Sequence, residues 1–292
     1  MTSTPSDLAH PDHEAVRTAV AAALAEDRAS FDVTTQTTVP PDQQGSGAFV
    51  FRAAGVVCGL EIAREAFRQL SPDLRVEVAY EDGSFVETGT TVATIAGPLA
   101  AMLSAERVAL NFAQRLSGIA SLTRQYVEEA ARGGDATVVD TRKTTPGLRA
   151  FERYAVRCGG ARNHRDNLQD GVLIKDNHLA AASARGVDLA SVVRSARAGA
   201  AHTLRIEVEV DTPEQAADAV AADADVVLLD NMGPETIRPI VEGAPGVIFE
   251  ASGGVNLETI RAIAATGVQL ISVGALTHSA PSLDIALDVR PE

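Results

Sequence analysis

"LRIEVEVDTPEQAADAVAADADVVLLDN", residues 204–231, decides the fold of this 292-residue chain. It opens on Leu204–Val210, an alternating run with strand character, and closes on a second strand-like run, Asp225–Leu229. Between them stands Thr212-Pro213-Glu214-Gln215, a helix start. Thr212 can cap the first turn, Pro213 has no N–H to waste there, and Gln215 completes a capping box. Strand, helix and strand in one short stretch make a crossover unit, which joins parallel strands. The same rhythm fills the chain after residue 135. Thr137–Val139, Val172–Ile174, Val247–Phe249 and Val268–Val273 bring the strand candidates to six, with helices fitting between most of them. This pattern predicts an α/β fold with a parallel sheet, either open or closed as a (β/α) barrel.

Before residue 135 the pattern differs. Strand-type stretches at 47–59 and 74–97 sit among helices such as Glu61–Leu70, which reads as an α+β unit. Residues 100–130 read as a long helical segment, with Leu99, Leu103, Leu110 and Leu116 near helical spacing and a break expected at Gly118. The expected domains are 1–134 and 135–279, with 280–292 returning to the first.

Composition excludes several classes. The net charge of −14 argues against nucleic acid as a general partner. No apolar run reaches membrane-spanning length. The N-terminal segment carries Asp7, Asp12 and Glu14 and lacks the basic start and apolar block of a signal peptide. Cys58 and Cys158 show no metal-binding spacing and suggest free thiols in a reducing cytosol. Against the acidic background, the segment from Arg142 to Lys175 holds eight Lys/Arg and three Asp/Glu. Lysine occurs only at Lys143 and Lys175. A local basic patch on an acidic protein is either a solvated face or a pocket for a small anion, and the Thr, Pro and Gly residues of "DTRKTTPGLR" (140–149) favour the pocket.

Parallel α/β folds place their sites at the C-terminal ends of the strands. Those ends carry Asp140-Thr141-Arg142-Lys143, Lys175-Asp176-Asn177-His178, Glu209, Asp230-Asn231, Glu250-Ala251-Ser252-Gly253-Gly254 and Gly274. Ser252-Gly253-Gly254, ahead of a helix expected near Asn256, and Gly274 after the next strand suit a phosphate held by backbone N–H groups. Glu209 and Asp230 end successive strands and read either as oxygen ligands for Mg²⁺ or as salt-bridge partners of the basic rim. Glu207 shares a strand side with Glu209, so alternation does not separate the two. Arg142, Lys143, His164, Arg165 and Lys175 are more cations than one phosphate needs. A polyanion with carboxylates and phosphates would use both the arginine fork and the lysine point charge. Arg153, by contrast, is expected on a helix with its charges facing solvent.

"DTRKTTPGLR", "YAVRCGGARNHRDNLQD" and "LIKDNH", in this order, resemble the quinolinate phosphoribosyltransferase family, the decarboxylating nicotinate-nucleotide pyrophosphorylases of de novo NAD synthesis. The resemblance runs from Asp32-Val-Thr-Thr through Glu106-Arg107 to Gly274 and His278, nearly the whole chain. It implies an N-terminal α/β sandwich, an incomplete α/β barrel of the type II phosphoribosyltransferase kind, and a homodimer with shared active sites that leaves room for a higher oligomer. It also implies quinolinate and phosphoribosyl pyrophosphate as substrates, with Mg²⁺, and a cytoplasmic enzyme. Arg107, Thr141, Arg142, Lys143, His164, Arg165 and Lys175 would surround quinolinate. Glu209 and Asp230 would serve the ribose and the metal, and Ser252, Gly253, Gly254, Gly274 and His278 the 5′-phosphate. Lys143, Lys175, Glu209 and Asp230 are the residues expected to carry catalysis.

Two other readings compete. One is a relative on the same scaffold that acts on another ribosyl acceptor, from which the complete carboxylate-binding set separates this chain. The other is a non-catalytic anion-binding protein, which would tolerate loss of Lys143, Glu209 or Asp230. For Arg107 a local alternative exists, since Leu103 and Leu110 bracket Glu106 and Arg107 near the apolar stripe, where an internal ion pair would also fit.

Overall fold

The structure, a computed structural model, describes residues 8–292. The reading of the N-terminal segment as no signal peptide rests partly on residues 1–7, Asp7 included, and to that extent lies outside the described residues. In chain order the first elements are α1 (His13–Glu26), α2 (Val33–Thr38), β1 (Gln44–Phe51), β2 (Gly55–Val56), α3 (Leu60–Leu70), β3 (Arg75–Val78), β4 (Phe85–Val86), β5 (Thr91–Pro98) and α4 (Leu99–Ala131). Then follow β6 (Thr137–Val139), α5 (Arg149–Cys158), β7 (Val172–Ile174), α6 (Asp176–Ser183), α7 (Leu189–Gly199), β8 (Ile206–Val210) and α8 (Pro213–Ala221). The chain ends with β9 (Val226–Asp230), α9 (Pro234–Gly243), β10 (Ile248–Ser252), α10 (Ile260–Ala264), β11 (Leu270–Ser272), α11 (Ala275–His278) and β12 (Ile285–Pro291). Residues 8–124 group with 145–160 and 279–292 in one compact unit; residues 125–144 and 161–278 form the other.

The first unit is built on an antiparallel sheet of order β12-β1-β5-β3. The C-terminal strand β12 pairs with β1 from Gly45↔Pro291 to Phe51↔Ile285. Helices cover one face of this sheet. A Cβ on Gly45 would stand 3.0 Å from Leu99 Cδ1 of α4, and Phe49 meets Phe67 of α3 edge-on at 5.9 Å. The break expected at Gly118 does not occur: α4 runs unbroken for 33 residues. The glycine is there because a Cβ at 118 would lie 2.0 Å from the Pro281 carbonyl oxygen, so close packing rather than helix breaking explains it. Asp32, at the start of the Asp-Val-Thr-Thr motif, caps α2 by accepting the Thr35 N–H at 3.1 Å, and Ser104 Oγ of α4 donates to its other oxygen. Cys58 and Cys158 are both buried free thiols, and they meet beside Asp82, with ligand atoms of all three within 4.8 Å of one another.

One expectation fails on α5. Arg153 is buried, 7% exposed, because Phe151 to Val156 are buried without interruption. The helix offers no solvent face over this stretch.

The second unit is a six-stranded parallel sheet of order β6-β11-β10-β9-β8-β7. The last strand β11 pairs with the first, β6 (Leu270↔Thr137), which is the return expected of a barrel rather than of an open doubly wound sheet. Between β6 and β7 no ladder forms among the described residues; a single bridge, Val139↔Arg162, stands at that edge. The barrel is therefore incomplete. Val226–Leu229 of β9 are all buried, as required of a parallel strand. Thr212 caps α8 as its sequence predicts, accepting the Gln215 N–H at 3.2 Å, a contact worth about 1 kcal/mol. Gln215 reaches back to the Asp211 N–H, one residue before the cap, instead of closing the reciprocal box. The helix expected near Asn256 starts later, at Ile260, because the Asn256 side chain accepts the N–H groups of Glu258 and Thr259 and holds a turn there.

Candidate active site

Sheet register brings the predicted rim residues to one level. Ser252 stands opposite Asp230, and Ile174 opposite Val208, which places Lys175 beside Glu209. Lys175 Nζ and Glu209 Oε2 form a contact ion pair. Glu209, Asp230, Asp176 and Asp211 line one cavity of about 380 Å³. This separates the two carboxylates that alternation could not. Glu209 opens on the cavity with Asp230, whereas Glu207 is buried and turned to His164.

The loop after β6 is held from both sides. Lys143 N–H donates to Thr141 Oγ1 at 3.1 Å, and Thr277 Oγ1 donates to the Lys143 carbonyl at 2.8 Å. A Cβ on Gly274 would meet His278 Nε2 at 3.1 Å and Lys143 Cδ at 3.2 Å, so these three candidates are neighbours. Gly253 has φ of 81°, and a Cβ there would strike Asn231 Oδ1 at 2.3 Å. Asn231 itself sits at φ of 56° and donates its N–H to the Ser252 carbonyl at 2.9 Å. A non-glycine residue in left-handed backbone locks the two loops together.

Asp140 is fully buried beneath the basic loop. It accepts Asn163 Nδ2 and the His164 N–H, each at 2.7 Å, and so ties the Thr141–Lys143 stretch to the segment carrying Arg165. Arg165 donates to the Gly171 carbonyl at 3.0 Å. Burial, then the neighbouring Arg142 charge, lowers its pKa against the opposing pull of Glu207. Arg142 Nε is buried and makes no hydrogen bond among the described residues.

His164 Nε2 lies 3.3 Å from Glu207 Oε2 and 3.4 Å from Glu250 Oε2. Burial lowers its pKa, but hydrogen bonds and charge from Glu207 and Glu250 outweigh this and raise it to about 10. Its Nδ1 accepts the Arg165 N–H at 2.7 Å, which needs a lone pair there and favours the neutral ring. The two effects oppose each other, and the hydrogen bond fixes the ring proton on Nε2, between the carboxylates. Burial likewise raises the pKa of Glu207, partly offset by its bond to His164.

Arg107 lies on α4 in the first unit. It is exposed, and no salt bridge of Arg107 occurs among the described residues, although its charge still draws the pKa of Glu106 down against the larger effect of burial. It lines a cavity of about 530 Å³ with Asn111, Arg115 and Phe151. Sequence reading gave Asp140 and Glu250 no role. Their only signal was a charged residue inside or at the end of an apolar strand.

The second unit is thus a parallel, incomplete barrel that carries cations, two carboxylates and glycine loops at the C-terminal ends of its strands. Known proteins agree. The model of the quinolinate phosphoribosyl transferase N-terminal domain matches residues 32–117, and that of its C-terminal domain residues 119–288. A probable nicotinate-nucleotide pyrophosphorylase of Bacillus subtilis is 44% identical over 90% of this chain and 90% of its own. The nicotinate-nucleotide pyrophosphorylase of Mycobacterium leprae is 41% identical over 97% of this chain and all of its own. The solved structure of the Francisella tularensis nicotinate-nucleotide pyrophosphorylase superposes with a TM-score of 0.89 at 36% identity, covering 97% of this chain and 99% of that one. The chain belongs to the quinolinate phosphoribosyl transferase family.

Proposed function

We propose that the chain transfers the phosphoribosyl group of phosphoribosyl pyrophosphate to the ring nitrogen of quinolinate, with loss of CO₂, giving nicotinate mononucleotide for NAD synthesis. The observation that carries this reading is the buried, unpartnered Arg142 Nε, whose guanidinium charge is felt by Arg165, on a chain of this family. Quinolinate supplies two adjacent carboxylates, each able to engage a planar fork. Lys143, Gly274 and His278, with Ser252, Gly253 and Gly254, take the 5′-phosphate end of the sugar, and Thr141 fixes the turn that presents Lys143.

The chemistry follows from charge. Pyrophosphate leaves C1 of the ribose, which develops oxocarbenium character, and Glu209 and Asp230 oppose that positive charge. The pyridine nitrogen then bonds to C1. Its nitrogen, now cationic, stabilises the electron pair left on C2 when the 2-carboxylate departs as CO₂, and C2 takes up a proton from solvent with that pair. Lys175, which pairs with Glu209, has the role of orienting this carboxylate in this reading. The protein needs no covalent nucleophile, because positioning and electrostatics supply the work. The all-oxygen set of Glu209 and Asp230 fits Mg²⁺, which usually takes one or two carboxylates and completes its shell with substrate phosphates and water. When bound, the ion would neutralise charge on the departing pyrophosphate.

The exposure of Arg107 supports a homodimer in which this residue enters the partner's site. The two free thiols support a cytoplasmic setting, and no helix among the described residues is long and apolar enough to cross a membrane.

The test is turnover. Purified protein with quinolinate, phosphoribosyl pyrophosphate and Mg²⁺ should form nicotinate mononucleotide. Nicotinate in place of quinolinate should react at least ~10²-fold more slowly, since it leaves part-buried cations without their carboxylate. Comparable rates for the two acids would contradict the assignment.

A further inference from the structure

Glu250 is 1% exposed, in the middle of β10; its Oε1 has no partner among the described residues, and its Oε2 has only the long 3.4 Å contact to His164 Nε2. Glu207 is 8% exposed, and its Oε1 likewise has no partner among the described residues. Burying carboxylates so sparsely partnered is costly, and an apolar residue of similar size would fill the same space at lower cost. Packing alone does not account for these residues. What they face is His164, whose Nε2 points between them.

His164 has no free ring nitrogen. Nε2 is directed at the two carboxylates, Nδ1 accepts the Arg165 N–H, and the backbone N–H of His164 is held by Asp140. A ring anchored at both nitrogens works as a bracket, and the part of the chain it fixes is the backbone of Arg165. Resting on the proposed reaction, we infer that Glu250 is a positioning residue: from inside the barrel it sets the His164 ring, and through it the placement of Arg165 against the quinolinate carboxylates. The same three side chains could be read as a metal site, since their ligand atoms lie within 4.8 Å of one another. The tautomer argues otherwise. A metal on Nε2 needs the lone pair there and the proton on Nδ1, which is the nitrogen that accepts a hydrogen bond.

The test compares wild type, Glu250→Ala, His164→Ala, the double variant and Glu250→Gln. Each is studied by steady-state kinetics in both substrates and by urea unfolding. Glu250→Ala should raise KM for quinolinate roughly tenfold or more, since small displacements of a positioning group carry large kinetic penalties, and should change KM for phosphoribosyl pyrophosphate far less. The double variant should be no worse than the poorer single variant, because both remove one bracket. Glu250→Gln keeps size and an acceptor for Nε2–H, so it should recover most of the loss; it also serves if the alanine variant does not fold. Losses that multiply in the double variant, or equal rises in both KM values tracking reduced stability, would overturn the inference. So would a bound transition metal in the wild type that Glu250→Gln loses. A wild-type protein inert towards quinolinate would instead refute the reaction itself, an outcome visible before any variant is compared.

Discussion

Lys143 and Gly274 pack so closely that a Cβ on residue 274 would stand 3.2 Å from Lys143 Cδ. With Thr277 Oγ1 bonded to the Lys143 carbonyl, this contact fixes the lysine at the rim by both backbone and side chain. Lys143→Ala should therefore lower kcat/KM by at least ~10²-fold, about 2.7 kcal/mol, with little change in Tm. Arg194 on α7 is exposed and is the appropriate control, expected within ~0.5 kcal/mol of wild type in stability. Arg153→Ala would not serve, because that residue is buried and its loss should lower Tm. Similar activity for the Lys143 and Arg194 variants would remove Lys143 from the site.

The cap at Asp32 predicts a pH dependence. Hydrogen bonds from the Thr35 side chain and backbone, with a smaller one from Ser104, outweigh burial and hold its pKa below the ordinary 3.8. A depressed carboxylate contributes stability above its unfolded value and loses it as pH falls through the folded value. Asp32→Ala should cost about 1 kcal/mol at pH 7. Urea unfolding of both proteins across the acid range should show the gap constant above the ordinary value and shrinking below it. A gap that widened in acid would contradict the cap.

The strand ends were legible in sequence because a parallel sheet delivers its loops to one side. Asp230, Lys175 and Ser252-Gly253 follow from strand order alone, whereas Glu209 is told from Glu207 only by the cavity it lines. Asp140 and Glu250 did not, since their partners Asn163 and His164 lie far along the chain and meet them only once the sheet has formed. Gly118 misled for a related reason: glycine marks a helix break by propensity, but here it marks close contact with the Pro281 carbonyl. Arg153 misled because a charged residue suggests a solvent face, whereas α5 is enclosed by packing that its local sequence does not reveal.

The exposed Arg107 leads to a mixing experiment. Arg107→Ala and Lys175→Ala should each be nearly inactive. If the two residues serve one site from different chains, dissociation and random reassociation makes about half the dimers mixed, each with one intact site, so activity should return to roughly a quarter of wild type. No recovery, with subunit exchange verified independently, would place Arg107 in its own chain's site or outside the site altogether.

The account rests most directly on which carboxylate leaves. Quinolinate labelled in its 2-carboxylate should release labelled CO₂, one per pyrophosphate formed and only when phosphoribosyl pyrophosphate is present. Quinolinate labelled in its 3-carboxylate should keep all label in the nucleotide. Release from the 3-carboxylate, release without the sugar phosphate, or pyrophosphate formation with no CO₂ would contradict it.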